Sequence, residues 1–548
     1  MKITLTIKGK PRVFHGRVPL ESLLHDEGKE IIAAKVNNRV RELRYEVYFD
    51  ANIDFLKYHD SEAVRIYETS LRYLVAMAID RLYPQTEIRY SYSISRAISM
   101  HILDESIVVD DEFVARLKEE IDSLIARDIP FNRKIVSNEK AAEFYRSKPE
   151  FHDKLAILDY RPEKTVHFYE CDGYLNYMYG YMVPSTGYLH RYKIQQYNGH
   201  VLIRYPRNET NGEIPKFEAM PSYANTLKEA QAWALKMNTD TVAGINEYIE
   251  NGQDVELINM SEARHNDMLA EIGKTIADNK DIRLIAIAGP SSSGKTTFSN
   301  RLRIELMSRG LRPIRISIDD YYLSDEDTPL DENGERDLES VNALDLDLFN
   351  KNMSDLIAGK EVTLPRFDFI KRERTKGRTL KVASDEPIII EGIHALNEVM
   401  TASIPKKNKY KIYIAPQAQM NIDNDNPISL TDLRLLRRLV RDKAFRNSSA
   451  EETIAMWPSV RRGEFKWIYA TEEDADYVFN SFLPYELPVM RKVAIPMLRE
   501  IAYESEYFPT AERLLRLLKY FVDLDETNIP NNSLIREFIG GSVFEETK

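Results

Sequence analysis

Residues 284–297 read LIAIAGPSSSGKTT: an apolar run meets Gly289, Gly294, Lys295 and Thr296 in the spacing G-x-x-x-x-G-K-T. Small residues let successive backbone N–H groups curl around an anion, and a helix starting after Gly294 points its N-terminus at the same spot. The stretch therefore demands a strand, a loop and a helix in that order, with phosphates held between them. Ser291, Ser292, Ser293 and Thr297 complete the cradle. Lys295 is placed to neutralise the outer phosphate oxygens, and Thr296 to offer its hydroxyl to Mg²⁺. A nucleoside triphosphate is the expected ligand. The loop alone leaves open whether the terminal phosphoryl group goes to water or to a second molecule.

The chain after Asp281 fits that demand. Apolar runs RLIAIAG, RPIRISID, EPIIIEG, KYKIYIA and DYVFNS alternate with helical segments. Such runs read as an α/β unit whose parallel sheet is covered by helices on both faces. Asp319 and Asp320, in SIDDYY, fall at a strand's carboxyl end, where open sheets of this kind bind ligands. Adjacent strand residues face opposite ways, so only one is expected to point into the site, and Asp319 is that one. Its carboxylate can accept a proton from a hydroxyl or hold Mg²⁺ through water; capping a turn is the plain alternative. Glu391 follows three isoleucines and needs a partner, either Mg²⁺ or backbone N–H groups.

In TDLRLLRRLVRD, Arg434, Arg437, Arg438 and Arg441 share one helix face. Guanidiniums so placed repel one another unless anions face them, and a triphosphate in transfer is such an anion. Scattered acidic partners on a solvated face are the alternative. Arg461 and Arg462 add to the charge less specifically. The chain has no N-K-x-D segment and, after the loop, no D-x-x-G of the switch-protein type, which weakens a guanine-nucleotide switch. A basic, mobile lid suits a kinase, which has to keep water from the phosphoryl group.

At 548 residues the chain is too long for one core and should form roughly two to four domains. Residues 1–60 read as a small α+β module, with turns at KGKP and Asn37–Asn38 and a short helix, PLESLLHDEG, closed by Gly28. Residues 61–225 are a mixed α+β module, 226–280 a helical connector, and 281–548 the phosphate-loop domain with a helical extension. Tyr177, Tyr179 and Tyr181 alternate as in a strand; few basic residues lie among them, so sheet packing outweighs base stacking. A net charge of −12 argues against a nucleic-acid coat. The one cysteine, Cys171, cannot form an internal disulfide and fits a reducing cytoplasm. MKITLTIKGK lacks the apolar core of a signal peptide, and no run approaches a membrane span, so no membrane association is expected.

Taken in order, GPSSSGKTTFS, SIDDYY, NALDLDLF, LPRFDF, IIIEG and RLLRRLVRD make residues 281–500 resemble the uridine kinase/phosphoribulokinase family of P-loop kinases. The resemblance implies ATP with Mg²⁺ as donor, Asp319 as base on the acceptor hydroxyl and Glu391 at the Mg²⁺ site. It also assigns Arg434, Arg437 and Arg438 to the lid or to phosphate contacts. The expected acceptor is a nucleoside, most naturally uridine or cytidine, phosphorylated on its 5′-hydroxyl. Tyr322 would line its pocket. Glu339 stands where those kinases usually carry Asp for the ribose, Phe367 where they carry Tyr, and Arg372 where they carry His. Arg372 would favour an anionic acceptor, so a kinase of another small hydroxyl compound is the nearest alternative, and an RNA-associated regulatory ATPase a more distant one.

The front half resembles threonyl-tRNA synthetase: residues 1–60 its TGS domain, with VNN where V-N-G is common, and residues 61–225 its editing module. The editing site's metal-binding positions fall here on Thr69, Tyr73 and, nearby, Met178 and Met182, which make no zinc site. No zinc and no editing hydrolysis are expected. RNA contact by these modules stays open, as does the oligomeric state.

Overall fold

The computed structural model describes residues 2–24, 28–92, 94–330, 334, 336–368 and 373–544. It is an α/β chain in which two front modules precede a parallel-sheet unit.

The first module is a five-stranded sheet in the spatial order Lys10–His15, Lys2–Ile7, Ala51–Leu56, Ala33–Val36, Arg39–Glu42. Its hairpin turns use residues that tolerate positive φ: Lys8 and Gly9 (49° and 74°), Asn37 and Asn38 (45° and 62°). Where a helix closed by Gly28 is expected, the described residues give a 3₁₀ turn at Leu20–Leu23 and another at Gly28–Glu30. Leu20 and Leu23 are buried, and Leu24 already returns to extended backbone.

The helix Ser61–Leu82 then runs through the middle of the front half, buried over most of its length. It packs on the helix Asp111–Ala126, and one apolar core runs from Ile3 to Tyr205, so the two front modules share it. The tyrosine row needs correction. Only Tyr177 of the three belongs to a strand, Tyr174–Tyr177; the pleat ends there, Gly180 (φ 130°) turns the chain further, and Tyr179 and Tyr181 lie outside it. Helix Asp254–Asp278 brings Leu269, Ile272 and Ile276, with Met268 partly buried beside them, to the core of the following unit.

That unit holds strands β1 (Leu284–Ala288), β2 (Ile314–Ser317), β3 (Ile388–Glu391), β4 (Lys409–Ala415) and β5 (Tyr477–Asn480). They are parallel throughout, in the order β2-β3-β1-β4-β5. Alternation along β1 explains its unbroken apolar run. Ile285 and Ile287 enter one core with Phe298, while Leu284, Ala286 and Ala288 enter another with Tyr321 and Phe349. Helices α1 (Lys295–Ser308), α2 (Leu346–Ile357), α3 (Leu430–Arg446), α4 (Ala450–Gly463), α5 (Glu486–Arg499) and α6 (Phe508–Leu518) accompany the sheet. The last stretch, including Leu534 and Phe538, is buried in the same core as α3. Among the described residues no helix is long and apolar enough to cross a membrane.

Candidate active site

The loop between β1 and α1 has the shape of a phosphate cradle. Ser292 and Gly294 take φ of 59° and 93°, which turns successive N–H groups inward. Glycine is required at two places by close approach. A Cβ on Gly289 would stand 1.9 Å from Ile414 O of β4, and one on Gly294 would stand 2.3 Å from Leu534 Cδ2. Lys295 Nζ donates back along the loop to Gly289 O (2.9 Å) and Pro290 O (3.1 Å). Loss of hydration lowers its pKa, against the pull of Glu391, Asp319 and Glu537. Ser292 Oγ and Ser293 Oγ are buried with no hydrogen-bond partner. Two of the loop's N–H groups donate to carboxylates: Ser291 to Glu464 (3.1 Å), and Thr297, in the first turn of α1, to Glu537 (2.9 Å). Both carboxylates sit where loop and helix start attract negative charge.

Acidic side chains gather at the carboxyl ends of the neighbouring strands. β2 stops at Ser317, and Asp319 and Asp320 lie on the 3₁₀ turn Ile318–Tyr321, so turn geometry rather than pleating separates them. Asp320 accepts from the Phe367 N–H (3.2 Å). Asp319 has Lys295, Arg446 and Arg441 as electrostatic neighbours, and desolvation raises its pKa. Glu391 ends β3, 3.7 Å from Arg315; desolvation, then nearby Asp319, pushes it up to about 7.

The arginine stripe divides in two. Arg434 and Arg437 are committed inward. Arg434 Nη2 donates to both oxygens of Glu464 (2.5 and 2.6 Å). Arg437, with no exposed surface, bonds Glu486 through Nε (3.1 Å) and Nη2 (2.5 Å). Its Nη1 reaches Ser292 O and Ser293 O (3.3 and 3.5 Å), so it braces the cradle from behind. The expected open lid is thereby corrected for these two: carboxylates from α5 and from the residue after α4 already face them. Arg438, Arg441 and Arg446 form the other group. All three contact one carboxylate, Asp442 (3.2 to 3.3 Å), which leaves a surplus of positive charge. Arg438 Nη1 also donates to Ser291 Oγ of the loop (3.0 Å).

A pocket wall stands beside Asp319. The rings of Tyr322 and Phe367 are 5.8 Å apart, and Tyr322 OH donates to Leu338 O (3.1 Å). Glu339 packs on Gly463, where a Cβ would come within 2.2 Å of Glu339 Cβ. Desolvation and then Glu464 push Glu339 up to about 7, and Lys295 and Asp319 are among its neighbours. Thus the structure brings Asp319, Tyr322, Glu339, Lys295 and Glu391 together. Arg372 lies outside the described residues.

Known proteins match this region. The sequence model of the Phosphoribulokinase / Uridine kinase family matches residues 284–486. The uridine kinase of Borrelia duttonii (strain Ly) is 32% identical over 219 residues, covering 37% of this chain and 94% of that protein. The chain belongs to this family. The uridine kinase of Staphylococcus aureus (strain JH9) is 33% identical over 202 residues, covering 36% of this chain and 87% of its own. Membership in the uridine kinase/phosphoribulokinase family makes the sheet unit that of a phosphotransferase. A second likeness covers the front half: the threonine–tRNA ligase of Desulforamulus reducens is 27% identical over 202 residues, 36% of this chain. The chain spans about a third (32%) of that ligase's length.

Within the family framework, three residues of the site escape sequence reasoning. Arg446 lies on α3 off the face of the stripe and joins the group through Asp442 (3.3 Å). Glu464 adjoins Arg461 and Arg462 in the sequence, and nothing in that local charge run marks it as the partner of Arg434. Glu537 lies 240 residues from the N–H it meets, and no local pattern announces it. In the ligase-like half, Tyr73 OH bonds Tyr169 O and Tyr174 O (3.0 and 2.8 Å), and Met178 and Met182 are buried in the apolar core.

Proposed function

We propose that the family domain transfers the terminal phosphoryl group of ATP to the 5′-hydroxyl of a nucleoside, uridine or cytidine in the first place. The observation that carries this reading is the position of Asp319 beside Lys295, between the phosphate cradle and the Tyr322–Phe367 wall. The acceptor oxygen attacks the γ-phosphorus, its proton passes to an Asp319 oxygen, and the bond to the β-phosphate oxygen breaks to release ADP. Lys295 and the Arg438–Arg441–Arg446 cluster stabilise the charge spread over the equatorial oxygens. Tyr322, Phe367 and Glu339 hold the acceptor, Glu339 through its hydroxyls. Orientation supplies the larger share: alignment of two reactants is worth about 7–11 kcal/mol.

The residues fit Mg²⁺ as well. Glu391, Asp319 and Glu537 crowd around one ammonium, Lys295, and two of them are held above their ordinary pKa. Thr296 and Glu391 would hold the ion, which would neutralise negative charge on the phosphates. Because Glu391 titrates near 7, protons compete with the metal below that pH. The Mg²⁺ concentration for half-maximal rate should therefore fall several-fold from pH 6 to pH 8; a flat profile would remove Glu391 from the metal site.

Glu537 occupies the N–H that a phosphate oxygen needs. Glu537→Gln weakens that competitor and should tighten ATP binding on the order of tenfold, read as Kd by calorimetry. Weaker binding would mean that Glu537 assists the donor.

Initial rates of ADP release with uridine, cytidine, sugars and sugar phosphates test the acceptor. Stimulation by the two pyrimidine nucleosides above the rest is the expected result. Stimulation by sugar phosphates alone points to the anionic acceptor suggested by Arg372. Hydrolysis that no acceptor changes favours the regulatory ATPase.

A further inference from the structure

A cavity of about 350 Å³ lies away from the phosphate cradle, between helix Ser61–Leu82, strand Thr165–Cys171, α6 and the start of α3. Seven of its lining side chains are Arg or Lys and five are Asp or Glu. Arg161 and Lys519 share one lining carboxylate, Glu163, while Arg133 has Glu42 at 3.7 Å. Arg161 is only 5% exposed, yet its hydrogen bonds go to neutral acceptors, Tyr520 OH (3.0 Å) and Thr165 O (3.2 Å). Its closest carboxylate, Glu163, stands 4.0 Å away and is shared with Lys519, and Arg161 Nε has no hydrogen-bond partner. Burial works against the Arg161 charge, and two tyrosine hydroxyls with the shared Glu163 offset it; an anion entering the cavity would be a stronger partner than either hydroxyl. His167 registers the local field: desolvation, then Arg133 and Arg161, hold its pKa down to about 4, so it is a neutral donor or acceptor at pH 7.

Flat rings supply the rest of the lining. Arg161 lies over Tyr177 (5.1 Å) and Tyr520 (5.9 Å), whose hydroxyls meet at 3.0 Å, and Tyr179 and Tyr181 continue the wall. Cations beside π-faces suit a ligand that joins phosphate to a planar base. We propose that this cavity binds a free nucleotide, phosphate toward Arg161, Arg133 and Lys519 and base against the tyrosines. One helix, α3, spans from the cavity wall to the phosphate loop. Asp432, in that wall, pairs with Arg65 (3.2 Å) and with Arg513. The same helix, α3, carries Arg437 and Arg438 to the phosphate loop.

The test uses the full chain bearing Lys295→Ala, which removes the cradle's cation. Calorimetric titration with UMP, AMP, UTP and ATP should find one of them binding, while uridine, adenosine and inorganic phosphate bind on the order of tenfold more weakly or worse. The His167 ring resonances should move as that nucleotide is added. Lys519→Gln and Arg133→Gln, both at partly exposed side chains, should each weaken binding several-fold; they avoid the folding risk of replacing Arg161. Four results overturn the proposal: no nucleotide binds, neither substitution matters, phosphate alone binds as tightly as the nucleotide, or only single-stranded RNA binds.

Discussion

Asp319→Asn should lower phosphoryl transfer by about 10²–10⁴-fold, the usual range for a general base, while ATP still binds. The side chain keeps its size and its place on the Ile318–Tyr321 turn, so the loop, Lys295 and the arginine cluster stay as they are. What is lost is the oxygen proposed to take the acceptor's proton. Removing a negative charge near the triphosphate should leave donor affinity unchanged or slightly raised. Single-turnover rates with uridine, set beside calorimetric ATP affinity, separate the two effects. Unimpaired turnover would remove Asp319 as the base; loss of ATP affinity in parallel would make it a structural residue.

Arg437→Met is expected to act on stability. The guanidinium and the Glu486 carboxylate are both without exposed surface, and desolvation raises the Glu486 pKa despite the arginine. Removing the cation leaves that carboxylate uncompensated, which costs about 3–5 kcal/mol. It also frees the Ser292 and Ser293 carbonyls that hold the cradle's curve. A fall in the main unfolding transition of roughly 10 °C follows for a unit of this size. Arg437→Met with Glu486→Leu should recover much of it, since paired apolar replacement of a buried ion pair is often neutral. An unchanged Tm in the single variant would contradict the burial of this pair.

The legible and the illegible parts of the molecule divide along a physical line. Features fixed within a few residues could be read. LIAIA before the loop is apolar at every position because β1 is covered on both faces, and Asn37–Asn38 turn the chain because asparagine tolerates positive φ. The arginine stripe was readable as one helix face for the same reason. Its partners were not: Glu464 and Glu486 come 30 and 49 residues later and meet Arg434 and Arg437 only once α4 and α5 have packed. The tyrosine alternation misled because Tyr179 and Tyr181 keep the period of a strand after the strand has ended. They serve the cavity that the front half forms with α6, and no spacing within either segment could have shown it.

Product identity tests the central claim most directly. Phosphorus NMR of the full chain with ATP, Mg²⁺ and excess uridine should show one phosphomonoester of the nucleoside for each ADP formed, with little inorganic phosphate. ADP accompanied by an equal amount of inorganic phosphate, across uridine, cytidine and the sugar acceptors alike, would contradict it.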